Sequence, residues 1–206
     1  MKDANTVLAS AAPVMPVAQF ESLDHAKACA ELFAEAGVPA IEVTLRHPDA
    51  WQMVAVFRDA MPEALVGVGT VLNRPQMLRA VDEADFVISP GFSPELSAIA
   101  RKTLTTYIPG VATATELMAA MADDHRVLKF FPASAIGGVP LLKALAAPFA
   151  DVRFCPTGGI KQSNYRDFLA LECVSCVGGS WLVPSMQALR DDRSGCLSML
   201  TELYKK

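Results

Sequence analysis

Three charged residues stand in segments of this sequence that otherwise read as buried β-strand. Ile41-Glu42-Val43-Thr44-Leu45-Arg46 sets Glu42, Thr44 and Arg46 on one side by period-two alternation, and Val127-Leu128-Lys129-Phe130-Phe131-Pro132 sets Lys129 among aliphatic and aromatic neighbours. A charge in a parallel strand covered on both faces is costly unless it is paired or hydrogen-bonded. An ammonium stripped of water gives up its proton more readily and becomes a nucleophilic amine. Such an amine condenses with a ketone or aldehyde to a Schiff base. The iminium then takes up electrons as the adjacent C–C bond is made or broken. Glu42 is the candidate general acid/base for the proton transfers, and Arg46 the candidate bidentate clamp for a substrate carboxylate. Gly67-Val68-Gly69-Thr70-Val71 adds Thr70 after a glycine pair. The plainer readings are a strand-edge Lys129 reaching water and a Glu42–Arg46 ion pair that only fills space.

Two glycine pairs extend the set. Cys155-Pro156-Thr157-Gly158-Gly159-Ile160 and Val177-Gly178-Gly179-Ser180-Trp181 each follow a strand candidate. Glycine lets backbone N–H groups approach an anion, so Gly158, Gly159 and Ser180 are the candidate phosphate cradle. Other candidates are weaker. Cys173-Val174-Ser175-Cys176 has C-x-x-C spacing without a second pair or a histidine to complete a zinc site, and reads as buried structural thiols. His25, His47 and His125 are scattered and read as surface residues; Lys161 is explained equally well by solvation, and Gly137-Gly138 by a turn or helix entry.

The elements that must position these residues alternate regularly. Strand candidates are Val14–Phe20, Ala40–Leu45, Leu65–Val71, Phe86–Ser89, Thr105–Ile108 (broken by Pro109-Gly110), Val127–Phe131, Val152–Cys155 and Ser175–Val177. Helical stretches lie between them. Asp24 is the expected cap of a helix stopped by Gly37, Ser93-Pro94 opens another, Thr113 or Thr115 starts the next, and Ser163 is the expected cap of one that runs to about Leu171. Pro184–Arg190 and Cys196–Tyr204 read as final helical segments. Eight strand–helix units in one chain are the count of an α/β (β/α)8 TIM barrel, with an open doubly wound sheet as the competing arrangement. In a barrel, Glu42, Thr70 and Lys129 fall near the carboxyl ends of their strands, where active sites occur, and loops after strands seven and eight are a frequent phosphate site.

At 206 residues and 52% apolar, the chain is long enough for one sizeable core and has no Gly-Ser linker or charge block to divide it, so a single domain is expected over residues 1–206. The net charge of -4 gives no basic excess for nucleic acid or an anionic membrane. No apolar run approaches the ~18 residues of a spanning helix. The start of the chain, a weak apolar run to Ala12, does not read as a signal peptide. Five cysteines, an odd number in a chain that needs no staples, suit a reducing cytoplasm.

Six segments in order, Glu42-Val43-Thr44-Leu45-Arg46, Val68-Gly69-Thr70-Val71-Leu72-Asn73, Ile88-Ser89-Pro90-Gly91, Lys129-Phe130-Phe131-Pro132-Ala133, Arg153 to Ile160 and Gly178-Gly179-Ser180-Trp181, resemble the class I 2-keto-3-deoxy-6-phosphogluconate (KDPG) and 4-hydroxy-2-oxoglutarate (KHG) aldolases. The resemblance runs from about Pro13 to Pro184. It implies a (β/α)8 barrel, a homotrimer, and a lyase that needs no metal or organic cofactor. It implies that Lys129 forms the Schiff base and Glu42 carries protons. Arg46 and Thr70 match positions that hold the pyruvate carboxylate, Pro90 and Phe131 those that shape the pyruvyl pocket, and Gly158, Gly159 and Ser180 the phosphate site. The activity implied is reversible cleavage of 2-keto-3-deoxy-6-phosphogluconate, a keto-sugar-acid phosphate, to pyruvate and glyceraldehyde 3-phosphate. Action on the galactonate epimer or on 4-hydroxy-2-oxoglutarate is the near alternative, and a barrel that binds a sugar phosphate without chemistry the distant one. Ser134 departs from the acidic residue that many members carry after Pro132-Ala133.

Overall fold

The computed structural model describes residues 2–205. In chain order the elements are α1 (Ala4–Ala11), β1 (Val14–Ala18), α2 (Leu23–Glu35), β2 (Ala40–Thr44), α3 (Ala50–Ala60), β3 (Leu65–Gly69), α4 (Arg74–Glu83), β4 (Val87–Ile88), α5 (Pro94–Thr103), β5 (Tyr107–Ile108), β6 (Gly110–Val111), α6 (Ala114–Ala122), β7 (Val127–Phe130), α7 (Gly138–Ala146), β8 (Arg153–Pro156), α8 (Tyr165–Leu169), β9 (Val177–Gly179) and α9 (Met186–Tyr204). This is an α/β protein in which every strand pairing is parallel. One sheet runs β5-β4-β3-β2-β1-β9 and the other β6-β7-β8. Bridges Phe154↔Val174 and Thr157↔Gly178 join β8 to the β9 segment, and only Pro109 separates β5 from β6. No described helix is long and apolar enough to cross a membrane.

The strand sequences encode two faces. Ile41, Val43, Val66, Val68, Leu128, Phe130 and Phe154 point to one side and pack with helix residues such as Phe33, Met53, Phe57 and Leu117. The alternate positions Met15, Ala40, Leu65, Ile88, Ile108, Val127 and Cys155 form a second, separate cluster on the inner face. Each large apolar side chain so buried stabilises the fold by ~1.5–3 kcal/mol. By the same alternation Glu42 and Lys129 are inner-face residues, one step further along their strands than Ala40 and Val127. A Cβ on the inner-facing Gly67 would overlap the Phe86 ring, so β3 leaves room there for an aromatic side chain of the inner cluster.

The inner cluster is covered by α1, which buries Val7, Leu8 and Ala11 in it. In sequence this stretch is only a weak apolar run. Its cap is Asp3, whose carboxylate accepts from the Thr6 backbone N–H at 3.0 Å. Two other caps also differ from expectation. Ser22, not Asp24, accepts from the His25 N–H and begins α2, leaving Asp24 in the first turn where its charge suits the helix dipole. Asn164, not Ser163, precedes α8 and provides no side-chain cap bond there. Ser93 and Thr113 cap as read, Thr113 with Glu116 in a reciprocal capping box. Pairing resumes at Gly110 after the expected break at Pro109, placing Gly110 opposite Lys129. The last strand starts at Val177 rather than Ser175. The two C-terminal helical segments are joined across a kink at Asp192.

Candidate active site

Lys129 and Glu42 meet on the inner face. Lys129 Nζ donates to Glu42 Oε1 at 3.1 Å and lies 3.5 Å from Oε2. The side chains are 6% and 1% exposed, so the amine is withdrawn from bulk solvent. Their strands lie in different sheets, 87 residues apart in sequence, and the pairing is a product of the tertiary fold. Packing leaves the carboxylate little freedom: a Cβ on Gly69 would overlap Glu42 Oε1. Beside it, Thr44 donates its hydroxyl to the Ala18 carbonyl at 2.8 Å, tying the end of β2 to β1. Phe131 places its ring centroid 5.3 Å from Lys129 Nζ, a cation–π distance when the amine is charged.

The remaining candidates lie just past the carboxyl ends of the strands. Arg46 is exposed in the turn after β2, two residues past the end of the strand at Thr44, and among the described residues it forms no ion pair. Thr70 follows β3 with φ 61, a left-handed backbone that a β-branched residue adopts at a cost. Thr70→Asn should raise the melting midpoint by roughly 2–4 °C, from about 1 kcal/mol of relieved strain. It should lower kcat/KM at the same time. Calorimetry with steady-state kinetics checks this, and an unchanged midpoint would contradict the strain.

Pro90 follows β4, half-buried. Gly158 (φ 101) and Gly159 (φ 73) follow β8 in positive-φ conformations, and a Cβ on Gly158 would come within 3.3 Å of the Phe131 ring. Ser180 is exposed after β9, and the Thr157↔Gly178 bridge sets the two glycine loops side by side. The structure thus joins Lys129, Glu42, Phe131 and Gly158 by direct approach, and places Thr70, Arg46, Pro90, Gly159 and Ser180 on the surrounding turns. A groove of about 370 Å³ against Tyr165, Trp181 and Met199 contains none of these nine residues.

Sequence reasoning missed the inward close approach of Gly69, for which the Gly67–Gly69 alternation was the available clue. It also misplaced the histidines. His25 is buried and bonds through Nε2 to the Pro184 carbonyl at 2.8 Å, while His47 and His125 are half-buried, His125 within 2.6 Å of Ser97 Oγ.

Of the paired cysteines, Cys176 is buried, but Cys173 is half-buried. Cys176 Sγ lies 3.6 Å from Cys155 Sγ on the inner face. The hydrogen bond with Cys155, then burial, hold the Cys176 thiol well above its ordinary range, and burial pushes Cys29 up to about 12. Native protein should therefore take iodoacetamide at Cys173 and Cys196, and at all five cysteines only after unfolding. Rapid labelling of Cys176 in the folded state would contradict the packing. Among the described residues, no group of three or more His, Cys, Asp or Glu side chains could hold a metal ion.

A desolvated amine hydrogen-bonded to a carboxylate, ringed by turns at the carboxyl ends of parallel strands, is the equipment of a carbonyl-condensing enzyme. The comparisons agree. The KDPG and KHG aldolase family profile matches residues 6–195. The KHG/KDPG aldolase of Escherichia coli (strain K12) is 49% identical over 175 residues, 84% of this chain and 82% of that protein. KDPG aldolase from Legionella pneumophila, solved with pyruvate captured at low pH as a covalent carbinolamine intermediate, has a TM-score of 0.90 at 39% identity and covers 98% of each chain. The 2-keto-3-deoxy-6-phosphogluconate aldolase of Zymomonas mobilis ZM4, solved with 3-phosphoglycerate, has a TM-score of 0.91 at 37% identity over 100% of this chain and 96% of that one. The chain belongs to the KDPG and KHG aldolase family.

Proposed function

We propose that the chain is a class I aldolase that reversibly cleaves 2-keto-3-deoxy-6-phosphogluconate to pyruvate and glyceraldehyde 3-phosphate, with 4-hydroxy-2-oxoglutarate as a further substrate. The observation that carries this reading is the buried 3.1 Å contact between Lys129 Nζ and Glu42 Oε1. A protein that merely binds a sugar phosphate has no use for an amine and a carboxylate held together away from water.

In this mechanism Lys129 passes its ammonium proton to Glu42 and attacks C2. A proton on the attacking nitrogen, now cationic, moves to the oxyanion, giving a neutral carbinolamine. Glu42 protonates the hydroxyl, water leaves, and the iminium forms. The Glu42 carboxylate then takes the proton of the C4 hydroxyl. The C3–C4 electrons flow into the iminium, the C4 aldehyde departs, and an enamine remains. Glu42 returns its proton to C3, and water adds back at C2 to release pyruvate and the free amine. One carboxylate suffices because each acceptance is followed by a donation.

Arg46 and Thr70 are assigned to the substrate carboxylate, Pro90 and Phe131 to the pyruvyl pocket, and Gly158, Gly159 and Ser180 to the phosphate. The positive-φ glycines beside Phe131 favour that last assignment. Binding energy from the distant phosphate would orient C2 towards the amine. The two sheets are read as one closed (β/α)8 barrel in a single domain, supported by the Thr157↔Gly178 bridge and the short Pro109 link. A cytoplasmic homotrimer is the assembly proposed by family resemblance, and light scattering tests it.

The deciding assay couples pyruvate release to lactate dehydrogenase on the gluconate-derived substrate, its galactonate epimer and 4-hydroxy-2-oxoglutarate. The highest kcat/KM is expected on the first. No pyruvate from any of them would overturn the reading, and preference for the unphosphorylated compound would overturn the phosphate cradle alone.

A further inference from the structure

The turn that joins β4 to α5 rests against the strand that pairs with Lys129. A Cβ on Gly110 would overlap the Pro90 carbonyl, so the turn backbone rests directly on the Gly110 Cα. Gly110 is the register partner of Lys129, and the Lys129 backbone N–H donates to the Pro109 carbonyl at 2.9 Å. Any shift of Pro90 is therefore felt one strand away from the Schiff-base candidate.

Two buried hydroxyls tie this turn down. Ser89 Oγ donates to the Gly91 carbonyl at 2.6 Å, which closes the turn around Pro90. A serine hydroxyl has a single hydrogen. With it committed to Gly91, the Tyr107 hydroxyl, 2.6 Å from Ser89 Oγ, is the donor of the second bond. Tyr107 opens β5 and is itself fixed, buried, by an edge-on contact with the His125 ring at 5.4 Å. Burial pushes its phenol up to about 12, against the hydrogen bond with Ser89, so the donor proton stays in place at neutral pH.

We propose that Tyr107 and Ser89 are positioning residues for the condensation site: their two-bond relay holds the Pro90–Gly91 turn against Gly110 and so sets the space available to a keto acid over Lys129. The proposal rests on the reading of Lys129 as the condensing amine. Neither hydroxyl touches the reacting atoms; each acts through the turn.

The test is borohydride trapping of pyruvate on the full chain, with the site of attachment read by peptide mass and kinetics measured alongside. Tyr107→Phe deletes one oxygen and keeps the ring, and Ser89→Ala deletes the other. Either variant should raise the pyruvate concentration for half-maximal trapping, and the KM of cleavage, by about 10-fold, the signature of lost uniform binding in a pocket whose wall has shifted. Trapping stoichiometry at saturation should stay at the wild-type level and kcat within about 3-fold. The double variant should be no worse than the more affected single one, because both break one relay. Variants that melt earlier but trap pyruvate with wild-type half-saturation would overturn the relay and leave Lys129 standing. A wild-type protein that traps no pyruvate on Lys129 would overturn both.

Discussion

Lys129→Met is expected to abolish pyruvate release, with kcat lower by roughly 10⁴–10⁶-fold, the scale of losing a covalent nucleophile. The same change should also destabilise the fold. It leaves the Glu42 carboxylate, 1% exposed, without its partner, and breaking a buried pair on one side costs ~3–5 kcal/mol. The two effects can be separated. Lys129→Met combined with Glu42→Leu removes both charges and should recover most of the stability while remaining inactive, because the desolvation that the pair imposed is gone too. Lys129→Arg is the complementary control: it keeps a cation beside Glu42 but cannot lose its proton to condense with a ketone. Borohydride with pyruvate should mark the wild type at Lys129 and none of the three variants. Trapping on another lysine in Lys129→Arg, with activity retained, would move the chemistry elsewhere.

How much of this was legible beforehand depended on whether a residue's meaning lies in its own segment. Glu42 and Lys129 could be read because a charge inside an apolar parallel strand is anomalous in sequence, and burial cost turns the anomaly into a prediction. That the two lie together followed only from reading the strand–helix rhythm as a barrel, because their contact spans 87 residues and two sheets. The strand–helix rhythm was legible from period-two runs and stop residues. The α1 cover was not, since Val7, Leu8 and Ala11 gain their meaning only from the inner cluster they meet. His25 failed for the same reason: its Pro184 partner is 159 positions away. Arg46 lies two residues beyond the strand whose alternation pointed to it, so that pattern does not by itself fix its direction. The cap errors at Asp24 and Ser163 are local competitions among neighbouring polar residues, which propensity ranks too closely to resolve.

Gly69→Ala tests the geometry of the site without touching either charged residue. The added methyl would occupy the volume of Glu42 Oε1. The carboxylate must then swing away or the β2–β3 pairing must open. That pairing is fixed by five registered residue pairs ending at Thr44↔Gly69, so the side chain is the part that yields. Moving it off the 3.1 Å contact with Lys129 would take the proposed proton carrier out of every step at once. A loss in kcat of roughly 10²–10³-fold is expected, close to that of Glu42→Gln, on the scale of misplaced general acid–base catalysis. Combining the two changes should cost little more than either alone, since each disables the same carboxylate. Gly67→Ala is the control two positions earlier on the same face. Its methyl would meet the Phe86 ring rather than a charge. It should therefore cost ~1–3 kcal/mol of stability through overpacking, with far less effect on turnover at temperatures where the protein stays folded. Equal kinetic damage from the two alanines would mean that inner-face packing at large, and not the placement of the Glu42 carboxylate, limits the reaction. A near-wild-type Gly69→Ala would show that the proton carrier works from some other position.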